Sequence, residues 1–257
     1  MEVVITIVGL LIIILLLILH DWYYTYKYRR SYGYVTIISE INTAISRCRE
    51  YRKADIDSCT DCMIQFCESI STMFSTLKGE RISTSIKLLT TDGNGKTILI
   101  TQARDHYSSS HGRKSGSADT TEHTLEGNSD FAFIYRNFNN DLIDSTYFCS
   151  NNLVTEDNYS NSRLISWDCK PIPLIPKKIK RYFSWPLKYK STLLVPIMPL
   201  SSNSGISELK GFLCIDSKRT HVFNIPEDKE ILRCLAAELC LVVDTLLIHL
   251  NTLDNES

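Results

Sequence analysis

The sequence predicts an α+β fold, an antiparallel sheet with helices on one face, preceded by one transmembrane helix. Three observations carry this reading. An uncharged apolar run opens the chain, strand-like alternation recurs in two separate hairpins, and two long stretches of helical periodicity flank those hairpins. With 257 residues, 44% hydrophobic and 22% charged, the chain is long enough for one substantial domain plus an added segment. Its formal net charge of -1 argues against a general nucleic-acid binder, which needs a clustered positive surface.

The added segment comes first. Val3 to Leu19, "VVITIVGLLIIILLLIL", carries no charge and, at about 1.5 Å per helical residue, just reaches the length needed to cross a hydrocarbon core. Trp22, Tyr23, Tyr24, Tyr26 and Tyr28 follow as headgroup-zone aromatics, then Lys27, Arg29 and Arg30. These basic residues lie on the C-terminal side only, so the expectation is a single-pass protein of the cell membrane with its C-terminal part cytoplasmic. A basic n-region and a small-residue cleavage site, the marks of a removable signal peptide, are missing. The expected divisions are an anchor over 1–21, a juxtamembrane helix and connector over 22–54, a globular domain over 55–250 and a tail over 251–257.

Tyr34, Ile38, Ile41, Ile45 and Cys48 step by three or four, a short helical seam suited to pairing two anchored subunits. A longer helix is expected from Asp55 to Lys78, closed by Gly79. Its "CTDCMIQFC" has a C-x-x-C pair, Cys59 and Cys62, but Ile56, Cys59, Met63, Phe66, Ile70, Met73 or Phe74, and Leu77 recur as the buried stripe of an amphipathic helix. Cys48, Cys59, Cys62, Cys67, Cys149, Cys169, Cys214, Cys234 and Cys240 provide no second ligand pair at zinc spacing, so core cysteines are expected, with a cysteine-based redox sensor as a competing reading.

The period then changes. Ile82, Thr84, Ile86 and Leu88 alternate with Ser83, Ser85 and Lys87, and Asp92 to Gly95, "DGNG", turns the chain into "KTILITQARD". Beyond Asp105 the Ser- and Gly-rich stretch holding His106, His111 and His123 reads as a mobile loop with solvated histidines. A short helix follows around Asn128 to Arg136, then a strand near Tyr147 to Ser150, then an irregular region reaching Leu187. Its "KKIKR", Lys177 to Arg181, reads as a solvated face able to meet an anionic leaflet.

The last hairpin spans Tyr189 to Phe223. Pro196 marks a strand end or edge, Gly211 allows close backbone packing, and Asp216 is expected to fix the following turn through backbone N–H groups. Pro226, Glu227, Asp228 and Glu230 then suit a first helical turn, and Leu232, Leu235, Leu239, Val242 or Val243, Leu246 and Leu250 continue as an apolar stripe.

"STLLVPIM", a polar turn, "KGFLCIDS", Phe223 and an acid-led helix resemble the C-terminal half of a GAF domain, with the earlier helix and hairpin where that family's opening elements belong. The resemblance implies a sensory fold with a five- or six-stranded sheet and a ligand pocket roofed by loops on the face away from the helices. The site it implies comprises Lys87, Arg104, Asp130, Phe131, Tyr147, Asn152, Trp185 and Tyr189. Arg104 offers a planar donor fork to a phosphate or carboxylate, and its competing role is a local pair with Asp105 or Asp130. The dispersed Asn-Lys-Phe-Asp-Glu signature of cyclic-nucleotide-binding members reads here as Ser217, Lys218, Phe223, Glu227 and Asp228, which departs from it at the first residue and in the order of the acids. The Cys-Gly helix motif of the free methionine sulfoxide reductases is missing. No converging nucleophile and base and no kinase or P-loop motif is present, so a binding protein rather than an enzyme is expected. The expected partners are the membrane, a second copy of the chain and a small ligand whose identity, like that of any cofactor, the sequence leaves open. A degenerate scaffold without ligand is the alternative, separated by whether the pocket is polar or filled with apolar side chains.

Overall fold

The computed structural model describes residues 14–24, 35, 38–43, 45–46, 56–116, 123–140, 146–168, 177–199 and 209–256. Residues 3–13 of the expected membrane segment lie outside them. Residues 14–24 are helical, with Ile14 to Leu19, Trp22, Tyr23 and Tyr24 exposed. Among the described residues no helix is long and apolar enough to cross a membrane. Tyr26 to Arg30, Tyr34 and Cys48 also lie outside; of the expected seam, Ile38 is exposed and Ile41 packs against the domain core.

Helix α1 (Ile56–Lys78) forms where the three-to-four spacing predicts it. Gly79 follows at φ +61°, the left-handed conformation in which a helix C-terminus commonly ends. Strands β1 (Ile82–Thr91) and β2 (Thr97–Arg104) pair antiparallel around a turn in which the Asp92 carboxylate accepts the N–H groups of Asn94 and Lys96, at 2.9 and 2.8 Å. Next come α2 (His106–Ser110), β3 (His123–Thr124), α3 (Ser129–Asn139) and β4 (Phe148–Ser150). Helices α4 (Ser162–Asp168) and α5 (Lys177–Phe183) occupy the region expected to be irregular. Strands β5 (Ser191–Ile197) and β6 (Gly211–Ser217) and the helix α6 (Glu227–Glu256) complete the domain.

The strands make one six-stranded antiparallel sheet in the order β3-β2-β1-β6-β5-β4. Antiparallel strands with period-two burial give the sheet two faces of different character. On one face Ile82, Ile86, Leu193, Val195, Leu213 and Ile215 pack against α1 and α6. Cys59, Cys62, Met63, Phe66, Cys67, Ile70 and Phe74 fill the α1 side of that core, which places the C-x-x-C pair in packing. The α6 stripe, Leu232 to Leu246, is buried in the same core and so is consumed within the chain. Among the large apolar residues of α6 whose burial is described, Leu241 and Ile248 are exposed.

The helices are not all on one face. On the opposite side α3 lays Phe131 and Ile134 against Leu99, Leu194, Phe212 and Cys214, because its own amphipathic stripe needs a partner and the apolar residues of that face supply one. A third cluster, Leu153, Tyr159, Leu164 and Leu187, stabilises the loops and α4 beside it.

Two expectations about surface charge change here. Within "KKIKR", Lys180 and Arg181 point inward: Lys180 Nζ donates to the Trp167 carbonyl (2.9 Å) over its ring, and Arg181 donates to the carbonyls of Glu156 and Tyr159. These cations act as cross-links that satisfy loop carbonyls. The loop after Asp105 is also tied down. Asp105 accepts N–H groups from Thr84 (2.8 Å) and Ser108 (2.9 Å), which caps α2 and fastens it to β1.

Candidate functional site

The site begins with an extra residue in β2. Ser85 lies opposite Arg104 and Ile86 opposite Ala103, but Lys87 lies opposite Thr101, so Gln102 is unmatched. Gln102 turns towards α1, its amide donating to Thr60 Oγ1 at 3.3 Å, and Ala103 joins the helix-side core. The bulge restarts the alternation one residue late and so aims Arg104, with Thr101 and Leu99, at the other face. On β6 the same face carries Phe212, Cys214 and Asp216, and on β1 Ser85 and Lys87.

Between this face, α3 and the segment around Tyr189 lies a cavity of about 120 Å³. At roughly 30 Å³ per water it holds about four waters or a ligand part of that size. Its walls include Lys87, Arg104, Arg113, Asp130, Phe131 and Asp216. Arg113 makes both ends of a bidentate pair with Asp216, each bond 2.7 Å, and its guanidinium stands 5.4 Å from the centre of the Tyr189 ring. Burial opposes the charge on Arg113, but Asp216 holds the guanidinium protonated more firmly than usual. Arg104, 6% exposed, donates from Nε to the Lys114 carbonyl at 2.8 Å. Lys87 Nζ donates to Thr101 Oγ1 at 2.8 Å and stands 5.7 Å from the Phe131 ring centre.

Asp130 sits in the first turn of α3, where the helix dipole favours a carboxylate. One oxygen accepts the Phe131 N–H (3.0 Å), and the other accepts the Tyr159 hydroxyl (3.4 Å), which in turn lies 3.2 Å from the Tyr189 hydroxyl. Burial pushes Asp130 up to about 6, opposed by these hydrogen bonds and by Lys87. Burial likewise raises the Tyr189 and Tyr159 phenols, helped by the charge on Asp130. The Cys214 thiol is pushed up to about 12 by burial, with Lys87 pulling the other way, and the Cys67 thiol is also raised by burial. A thiol held protonated in this way is a poor nucleophile.

Of the eight residues expected at the site, Lys87, Arg104, Asp130, Phe131 and Tyr189 line the cavity together. Trp185 does not; its Nε1 donates to the Tyr189 carbonyl at 2.6 Å, bracing the segment from behind. Tyr147 lies in a separate hollow with Phe148 and Cys149, under the Lys229 ammonium at 4.9 Å. Asn152 follows β4, away from the cavity wall, and its buried Oδ1 has no hydrogen-bond partner among the described residues. The neighbouring Asn151 does the structural work, exchanging side-chain bonds with the Phe223 carbonyl and N–H.

Several wall residues differ from their expected roles. Asp216 does not fix a turn; it is 5% exposed and paired with Arg113. Arg113 sits in the stretch expected to be a mobile loop, and His123, expected to be solvated, is 7% exposed in β3 and lines the cavity. Arg104 is buried and holds a loop carbonyl, and Asp105 faces Arg81 at 3.5 Å. The alternation of Cys214 and Asp216 on one strand face was the one sequence signal pointing to Asp216. Among the described residues no group of three metal-ligating side chains converges.

No family model and no curated protein matches the chain. Among solved structures it is similar to the GAF domain of an Acinetobacter phosphoenolpyruvate-protein phosphotransferase, at 13% identity over 80% of this chain and 92% of that one, with a TM-score of 0.47. It is also similar to the phycocyanobilin-bound GAF domain of a cyanobacterial phytochrome (12%, 83% and 97%, TM-score 0.46). A third is a type II free methionine-R-sulfoxide reductase of Thermoplasma acidophilum (14%, 72% and 94%, TM-score 0.41).

Proposed function

We propose that this chain is a GAF-type sensory domain, anchored to a membrane by its first segment, whose cavity binds a small anionic ligand. One observation carries the reading: the cavity between the sheet and α3 is walled by the buried charged groups Arg104, Asp130 and Asp216, not plugged with apolar side chains. A scaffold gains nothing from such a wall, because each buried charge costs desolvation that apolar packing avoids. Lys87, Arg104, Arg113, Arg163 and Lys188 line it against only two acids, Asp130 and Asp216, so an anion complements the wall. The chemistry we read here is binding, and the thiol on the cavity wall, Cys214, is held protonated by burial. Ligand binding can report only by favouring one of two states, and α6, a second copy meeting Leu241 and Ile248, and the membrane segment are the elements available.

The test is mass spectrometry of small molecules released from the detergent-purified full chain, beside melting curves with a panel of small carboxylates and phosphates. A retained anion of the cavity's size, or a Tm rise with one member of the panel that is lost in Arg104→Ala, supports the reading. No retained molecule and no shift with any member overturns it. Recovery of the full chain in the soluble fraction after carbonate extraction removes the anchor from the proposal.

A further inference from the structure

The cavity continues outward. Arg113, Leu187 and Lys188 line it and also line a second, open hollow of about 520 Å³. Tyr107 and His111 form the floor of that hollow as a stacked pair, ring centres 3.9 Å apart. Cations gather round this pair: Arg81 stands 4.4 Å and Lys218 5.8 Å from the Tyr107 ring centre, and Lys188 Nζ reaches the His111 carbonyl across the mouth. Lys190 adds a fourth. Arg81 faces Asp105 and Arg113 faces Asp216, but Lys188, Lys190 and Lys218, all exposed, pair with no carboxylate among the described residues. Like charges brought together on adjoining loops repel unless an anion joins them, and their summed field draws anions to the mouth.

We propose that this hollow is an outer subsite for the phosphate group of a phosphorylated small ligand whose compact polar part fills the inner cavity. The identification of the inner part rests on the ligand-binding reading above; the phosphate subsite rests on the lysines and the aromatic floor alone. Lysine ammonium groups suit a phosphate that stays partly hydrated, since they act as mobile point charges without the directional fork of arginine. The inner cavity, closed by Arg113 and Leu187, takes the part of the ligand that must be desolvated.

Calorimetric titration of the full chain in detergent with inorganic pyrophosphate tests this. The triple variant Lys188→Gln, Lys190→Gln, Lys218→Gln should bind pyrophosphate at least tenfold more weakly at an unchanged Tm, and added salt should weaken the parent's binding. Arg104→Ala should keep pyrophosphate binding, because it lies in the inner wall. Equal binding by the triple variant and the parent, or no binding by the parent, overturns the outer subsite. Loss in Arg104→Ala but not in the triple variant moves the phosphate into the inner cavity, which overturns the subsite and leaves the ligand-binding reading standing. A parallel flotation assay with phosphatidic acid vesicles separates the sources of phosphate: vesicle binding that needs the three lysines, without pyrophosphate binding, assigns the patch to a lipid headgroup and overturns the small-ligand proposal.

Discussion

The two faces of the sheet are made by the same strands and share almost nothing chemically. On β6, Leu213 and Ile215 enter a core of aliphatic, sulfur and aromatic side chains under α1 and α6, while the interleaved Phe212, Cys214 and Asp216 face α3 and the cavity. One face is closed by two long helices whose described stripes are buried against it; the other is closed by short helices and loops that leave room. A strand residue thus acts on stability or on recognition according to its parity, and the bulge at Gln102 is where that parity is reset. Substitutions on the two faces should therefore fail differently.

The largest effect belongs to the helix side. Phe66 is fully buried between α1 and the sheet, and Phe66→Ala should cost about 3–5 kcal/mol through lost burial and the cavity left behind. Urea denaturation of the domain would show a lower midpoint at an unchanged slope. A loss under about 1 kcal/mol would mean that α1 repacks freely and that the closed face is not the rigid one.

Next comes the buried pair on the cavity side. Asp216→Ala leaves Arg113 charged in a site where its side chain is 12% exposed, and should cost about 3 kcal/mol. The double replacement Arg113→Met with Asp216→Leu should recover much of that loss, because neither charge then needs a partner. It should also abolish the response to anions. If the double variant is no more stable than the single one, the pair is held for packing and not for charge.

Why one face was legible in sequence and the other was not follows from the same division. Helical spacing from Cys59 to Phe74 and alternation from Ile82 to Leu88 repeat local periods, and local periods predict which side is buried. Arg113 carries no period at all: its partner is 103 residues away, and only tertiary structure brings the two together. The same holds for Lys180 and Arg181, whose acceptors are carbonyls, which every residue possesses and no side-chain pattern marks. Arg104 was found for an incomplete reason. Strict alternation in "TILITQAR" puts it opposite in parity to Leu99 and Thr101, and the unmatched Gln102, invisible in composition, is what brings them to one face.

That position gives the third effect. Arg104→Ala removes a charge-assisted bond to the Lys114 carbonyl and should lower ligand-free stability by about 2 kcal/mol, more than an exposed strand end would. Arg104→Lys should restore part of the stability but little of the anion response, since an ammonium lacks the planar fork. Thermal melts of the three chains with and without small carboxylates, the probes of the inner wall, separate the two roles. Full recovery of the anion response in the lysine variant would reduce Arg104 to a point charge.

The smallest effect is a slope. Asp130 titrates at about 6 in the folded chain against an ordinary 3.8, because burial disfavours its carboxylate more than Lys87 and its hydrogen bonds favour it. Between those two values the folded chain binds more protons at this group than the unfolded one, so its contribution to stability falls as pH rises from about 4 and levels off above about 6. Between pH 5 and 7 that amounts to about 1 kcal/mol. Asp130→Asn keeps an acceptor oxygen for the Phe131 N–H and removes the ionisation. The stability of Asp130→Asn minus that of the parent should therefore increase by this amount from pH 5 to 7, whatever other groups titrate in both. An anion in the cavity would raise the Asp130 carboxyl further, so anion binding should take up a fraction of a proton near pH 6 and weaken as the pH climbs, a dependence the Asn variant lacks. Parallel pH profiles of the parent and variant would show that Asp130 is ionised and solvated in the folded chain, and would open the cavity to water on the side of α3.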